Sequence, residues 1–243
     1  MDIILDTMWN GFRKLHFIFE DRRALIVIPK NRREDGKWLY KTEYFGAFPS
    51  FELEMLAKGY CVAHVQNRTR WSCKEDIEMR PRFCEFLHKE FGLSKTCMPV
   101  GMSCGGMQAV YFAARYPEYV AALYLDAPVM NLLSCPGGIG DGEDYVYYEE
   151  FTKQTGLTMS QLINYRQHPI DMAPALVAAN IPIMLISGDC DREVPFHENG
   201  QYLYDYYREH GGTIELIIKE GGDHHPHGLE DTAPLHAFAE RYY

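Results

Sequence analysis

Residues 96–106 read TCMPVGMSCGG, an apolar run that breaks into glycines around a single serine, Ser103. The run at 96–102 predicts a buried strand, and 107–115 (MQAVYFAAR) predicts a well-buried helix stopped near Tyr116-Pro117. Between them, Gly101-Met102-Ser103-Cys104-Gly105-Gly106 has the spacing G-x-S-x-G. Glycines on both sides of Ser103 leave room for a strained strand-to-helix turn that lifts the serine oxygen to the carboxyl edge of a sheet. The helix that follows aims its N-terminus at the same point, so the Cys104 N–H faces the oxygen of a bound carbonyl. The same residues also read as a glycine-rich helix cap without chemistry.

Outward from this stretch, short β-like runs alternate with helical patterns, which predicts a largely parallel sheet with covering helices. Strands are expected at 12–20 (FRKLHFIFE, with the period-two pattern of an edge strand), 24–29, 38–44 (WLYKTEY), 60–65, 96–102, 121–125, 183–187 and 213–219. Helices are expected at 50–58, closed by Gly59, at 77–91, ended by Gly92, at 201–210 and at 235–242. From Asn131 to about Asn180 the pattern changes: a flexible PGGIG, the acidic-aromatic GEDYVYYEEF, then helical pieces rich in Met, Leu and Gln. This segment reads as a cap inserted between two strands of a single domain, with no internal repeat.

With 243 residues, the chain is long enough to bury a sizeable core without staples. Asp+Glu outnumber Lys+Arg by 34 to 24, for a net charge of −10. That balance argues against nucleic acid or an anionic membrane as a main partner, since both demand a basic face. The seven cysteines form no C-x-x-C pair and read as small buried hydrophobes of a reducing compartment. The start, MDIILDTMWNGF, lacks the pattern of a secretory signal, and no apolar stretch is long enough to span a bilayer. The expected location is cytoplasmic.

Two later signals raise the chemical reading of Ser103. Gly188-Asp189-Cys190-Asp191-Arg192-Glu193-Val194-Pro195 follows a predicted strand, where an acid is placed to orient a histidine. Gly221-Gly222-Asp223-His224-His225-Pro226-His227 follows the last predicted strand, where a histidine is delivered. A neutral serine is a poor nucleophile, so a histidine must take its proton and a carboxylate must hold the imidazole in the right tautomer.

GMSCGG, GDCDREVP and EGGDHH, in that order at strand ends, resemble the α/β-hydrolase superfamily. More narrowly, KWLYKTEYFGAF, Asp126-Ala127-Pro128-Val129 and the terminal H-H-P-H are similar to a bacterial branch of mostly unassigned substrate. The likeness runs from about Trp9 to Tyr242. It implies an α/β-hydrolase fold: a mostly parallel, eight-stranded sheet flanked by helices, with the small cap at about 131–180. Such relatives commonly carry an arginine after the serine, where this chain has Cys104. The Cys104 N–H survives that change, but an arginine contact does not.

The resemblance implies Asp191 as the acid, at the fourth position of G-x-x-D-x-x-V-P. Asp189, nearer the strand, reads as a turn cap, and Asp126 as a strand-end alternative. Of the three histidines, His224 comes first after the glycine turn and is the expected base, with His225 pointing elsewhere and His227 a cap or a partner for an acid. The second oxyanion donor is expected from the loop after the third strand of that fold, near Glu43-Tyr44-Phe45, and is assigned to the Tyr44 N–H. Trp38, Trp71 and the Tyr145, Tyr147 and Tyr148 group are pocket or packing residues. With neither H-E-x-x-H nor a cysteine partner motif, no metal is expected, and the mechanism needs no cofactor. The expected activity is that of a serine esterase, cleaving a small-molecule carboxylic ester through an acyl-enzyme. An amide or peptide hydrolase with the same triad, and a non-catalytic binding protein on the same fold, are the alternatives.

Overall fold

The computed structural model describes residues 3–243. Nine strands among these residues form one sheet: β1 (Ile3–Trp9), β2 (Phe12–Phe19), β3 (Arg22–Ile28), β4 (Trp38–Lys41), β5 (Cys61–Val65), β6 (Met98–Met102), β7 (Leu123–Asp126), β8 (Ile183–Gly188) and β9 (Ile214–Lys219). Their order across the sheet is β1-β2-β3-β5-β4-β6-β7-β8-β9. The first four in that order pair antiparallel, and every pairing from β5 to β9 is parallel. The helices are α1 (Ser50–Ala57), α2 (Lys74–Phe91), α3 (Cys104–Arg115), α4 (Tyr148–Thr155), α5 (Met159–Asn164), α6 (Ala173–Ala178), α7 (Gly200–Glu209) and α8 (Ala233–Tyr242).

Both faces of the sheet are covered, as a parallel sheet requires. On one face Phe83 of α2, Phe112 of α3, Leu176 of α6 and Leu203 of α7 share a core with Phe17, Ile26, Tyr40 and Leu125. On the other, Phe51 and Met55 of α1 and Leu235 and Phe238 of α8 pack on Val27, Leu39, Val100 and Tyr124. All five residues of β6 are buried, which is why 96–102 reads as a continuous apolar run rather than an alternating one.

The structure differs from the sequence expectation in three places. The sheet has nine strands, not eight: β1 pairs outside β2, so 12–20 is not the edge. β4 stops at Lys41, and Thr42–Tyr44 leave the sheet as a loop in which Tyr44 adopts a positive φ of 52°. The segment 131–180 has two fates. Phe151 of α4 and Leu162 of α5 pack on Trp71, Cys104 and Met107 above the carboxyl edge of the sheet. Ala173 and Leu176 of α6 instead join the main core, so only the earlier part of the segment overhangs.

Candidate active site

β6 feeds Ser103 directly into α3. Ser103 sits at φ 53°, ψ −123°, a conformation L-residues rarely adopt and one that stores about 1–3 kcal/mol. Its backbone is held from three sides: its N–H donates to Asp126 O at 3.0 Å, and its carbonyl accepts from Gly106 N–H at 2.9 Å and Val129 N–H at 3.1 Å. The glycines are required by close approach. A Cβ at Gly101 would lie 2.5 Å from Gly105 O, and one at Gly106 would lie 2.4 Å from Pro128 Cβ. Beneath the turn, the buried Lys41 Nζ lies 2.6 Å from Glu52 and 3.2 Å from Met102 Sδ, which ties the residue before the serine to α1.

His224 is buried between the other two groups. Its Nδ1 lies 2.8 Å from Asp191 Oδ2, and its Nε2 lies 3.1 Å from Ser103 Oγ. Asp191 Oδ1 accepts the N–H groups of Glu193 at 3.0 Å and Val194 at 2.8 Å, so both carboxylate oxygens are engaged. The ends of β6, β8 and β9 therefore bring Ser103, Asp191 and His224 into one hydrogen-bonded line. Asp189 is exposed and outside it.

Asp126 is fully buried and has a histidine of its own. Oδ1 pairs with His227 Nδ1 at 2.9 Å, while Oδ2 accepts the Gly228 N–H at 2.7 Å and the Tyr124 hydroxyl at 3.2 Å. Burial pushes the His227 imidazole below its ordinary pKa despite the Asp126 carboxylate, which favours the neutral ring at pH 7. His225 is exposed and stacks on Phe48. The sequence reading has His227 as a cap or a partner for an acid, and the structure makes Asp126, at the end of β7, that acid.

Cys104 opens α3, so its N–H is among the first-turn donors that no helical carbonyl can satisfy. Its side chain is buried against Met107, Val129 and Trp71. Tyr44 enters the site through its ring. Its N–H points at Glu43 Oε1, 3.3 Å away, in place of the open donor expected from the sequence. The Tyr44 hydroxyl stands beside Cys104 and Arg70, and burial, together with the neighbouring thiol, raises its pKa so that it stays a neutral donor. Trp38 belongs to the core, where its ring N–H donates to Ser94 O at 3.0 Å. Trp71 and Tyr147 line the site, whereas Tyr145 is exposed and Tyr148 packs beside Phe151.

The loop carrying Arg70 and Trp71 was also not singled out as functional, save for the tryptophan. It is clamped from below: Asp76, paired with Arg22, accepts the N–H groups of Arg68 at 2.9 Å and Thr69 at 3.2 Å. Gln108, a buried polar residue on α3, donates to Thr69 O at 3.0 Å and Arg70 O at 3.1 Å. Arg70 Nε and Trp71 Nε1 both reach Glu150 Oε1 of α4, at 2.9 and 3.0 Å. Burial opposes the charge on Arg70, but the bonds to Glu150 and Tyr44 hold its pKa above the ordinary arginine value. In front of these groups lies a cavity of about 280 Å³ lined by Tyr44, Arg70, Trp71, Ser103, Glu193 and His224, among others.

The model of the prolyl oligopeptidase family matches residues 83–243, more than half of the chain. No curated protein matches the chain. Among solved structures, Pyrococcus horikoshii acylaminoacyl peptidase is similar with a TM-score of 0.68 and 16% identity, over 88% of this chain and 38% of its own. Porphyromonas gingivalis dipeptidyl peptidase 4 is similar with a TM-score of 0.68 and 15% identity, over 97% of this chain and 35% of its own. A puromycin-hydrolyzing peptidase of Mycobacterium tuberculosis has a TM-score of 0.66 and 14% identity, over 84% and 34%. The chain thus spans well under half the length of these structures, and the likeness establishes the α/β-hydrolase fold. No helix among the described residues is long and apolar enough to cross a membrane. With the family match covering α3, β8, β9 and the turns after them, this chain belongs to the prolyl oligopeptidase family, serine hydrolases of the α/β-hydrolase superfamily.

Proposed function

We propose that this chain is a serine peptidase, cleaving an amide or peptide bond through Ser103, His224 and Asp191, with the earlier part of residues 131–180 acting as a cap within a single domain. The observation that carries the reading is His224 spanning Asp191 and Ser103 at 2.8 and 3.1 Å in a member of a peptidase family. Ser103 Oγ attacks the carbonyl carbon as His224 Nε2 takes its proton, and Asp191 keeps the proton on Nδ1. The Cys104 N–H and the Tyr44 hydroxyl receive the oxyanion, the hydroxyl replacing the main-chain donor expected from the sequence. His224 then passes its proton to the leaving nitrogen. Water, activated by the same ring, releases the acid from the acyl-enzyme.

The family tips the choice from ester to amide, because an amine leaves only when it is protonated, and His224 is held where it can do so. Matched aminoacyl anilide and ester substrates test this. We expect anilide hydrolysis with kcat/KM on the order of 10⁴ M⁻¹ s⁻¹ or above, lost in Ser103→Ala by about 10⁴-fold or more. Ester hydrolysis without detectable anilide cleavage would return the reading to a carboxylic ester hydrolase. Anilide cleavage that survives Ser103→Ala would remove the serine from the mechanism.

A further inference from the structure

The geometry points to a zinc-class metal site formed by His224, His225 and His227, at which a bound divalent ion holds the enzyme inactive. Sequence spacing argued against a metal here, since H-H-P-H offers neither a helical pair of ligands nor a cysteine. The turn after β9 overrides that spacing. One ring nitrogen from each histidine lies within 4.8 Å of one from each of the others. The three ring centroids are mutually 4.8 Å apart, with interplanar angles of 66°, 77° and 86°. The rings meet edge to face in pairs, which leaves the space between their nitrogens open to an ion.

A second observation concerns the far sides of two of these rings. His224 Nδ1 is held by Asp191 at 2.8 Å and His227 Nδ1 by Asp126 at 2.9 Å, and both carboxylates are buried. A carboxylate on one ring nitrogen fixes the tautomer, turns the other nitrogen outward as a lone pair and makes it more basic, which is the outer-shell arrangement of histidine–zinc sites. His225, exposed and stacked on Phe48, supplies the third ligand. All three histidines line the 280 Å³ cavity, which has room for an ion and its remaining water ligand. Zn–N bonds of about 2.0–2.1 Å set tetrahedral nitrogens roughly 3.4 Å apart, so binding must draw His224 and His227 together as well as bring in His225, by up to about 1.4 Å per pair.

Occupancy has a direct kinetic consequence. His224 Nε2 is the atom 3.1 Å from Ser103 Oγ. Once its lone pair is on the metal it cannot accept the serine proton. Binding itself does not depend on the proposed reaction; only the inhibition rests on His224 being the base.

The test is calorimetric titration of the whole chain with zinc chloride at pH 7.5, alongside hydrolysis measured against each variant's own rate. We expect one equivalent of zinc with a dissociation constant on the order of 10 µM or tighter, and loss of hydrolysis that a chelator reverses. His225→Ala should weaken binding at least about tenfold, and Asp126→Asn, which keeps all three histidines, by about 10–100-fold. Magnesium chloride should neither bind nor inhibit, because it takes oxygen ligands. Absence of a zinc equivalent, or zinc bound equally well by His225→Ala, overturns the site. Zinc bound as expected while hydrolysis continues undiminished upholds the site and overturns His224 as the base.

Discussion

Asp126 and Asp191 leave neighbouring strands with the same chemistry, and only their partners separate them. Asp191 faces the histidine that reaches Ser103, whereas Asp126 faces His227, the Gly228 N–H and the Tyr124 hydroxyl. Asparagine at position 191 leaves the packing intact but presents the wrong group to His224 Nδ1, favouring the tautomer that cannot accept the serine proton. Asp191→Asn should therefore lower kcat on the order of 10⁴-fold with little change in melting temperature. Asp126→Asn should do the reverse, since one of its oxygens becomes a donor facing groups that also donate. A loss of about 1–3 kcal/mol in stability is expected there, with kcat within about tenfold of wild type. Steady-state kinetics beside urea denaturation separate the two. If Asp126→Asn is the dead variant, the acid has been placed on the wrong strand. The sequence carried this distinction only through the turn pattern around Asp191, because a buried Asp–His pair and a catalytic one have the same composition.

At the scale of elements, the site depends on how closely α3 approaches its neighbours. A Cβ on Gly106 would stand 2.4 Å from Pro128 Cβ and 2.8 Å from Pro128 Cα, in the segment leaving β7. At Gly105 the nearest atom is Glu43 Cβ at 3.1 Å, on a loop that can yield. Gly106→Ala must push α3 off that segment and should lose about 2–3 kcal/mol, lowering the melting temperature by roughly 4–10 °C. Gly105→Ala should lose less. Equal melting curves for the two variants would mean that the approach to Pro128 is not tight. Strands of the parallel half were legible because all but the half-buried edge strand β9 are buried almost throughout and read as continuous apolar runs. β1 was not: IILDTMW mixes apolar and charged residues without a clean period, and Ile4 and Met8 are exposed. Only its pairing with β2 makes it a strand. The 131–180 segment was legible as a break in the pattern, but six-residue helices are too short to show a face, and the burial of apolar α6 (APALVA) is decided by contact with α3 and α7.

For the whole molecule, the acidic surface and the buried histidines respond to pH in different ways. His64 sits on β5 with Nδ1 2.8 Å from Lys41 O, among the cations of Lys41 and Arg80. Burial is the main cause that pushes its pKa down to about 4, the two cations add to it, and the bond to the Lys41 carbonyl opposes it. In the unfolded chain an imidazole titrates near 6.5. Between these values the unfolded state holds a proton that the folded state refuses, so stability present in full above about pH 6.5 drains away as the pH falls toward 4. The limiting loss is about 3 kcal/mol, and about 2 kcal/mol of it is gone by pH 5. His168 and His227, also depressed by burial, act in the same direction. His64→Gln removes the titrating ring while retaining a side-chain donor for the Lys41 carbonyl. Urea denaturation of both proteins at pH 7 and pH 5 gives a double difference from which any fixed effect of the substitution cancels. Wild type should lose about 2 kcal/mol more than His64→Gln over that interval. Parallel losses would mean that His64 is protonated in the folded protein at pH 5, and that the field around β5 is weaker than its burial and its two cations imply.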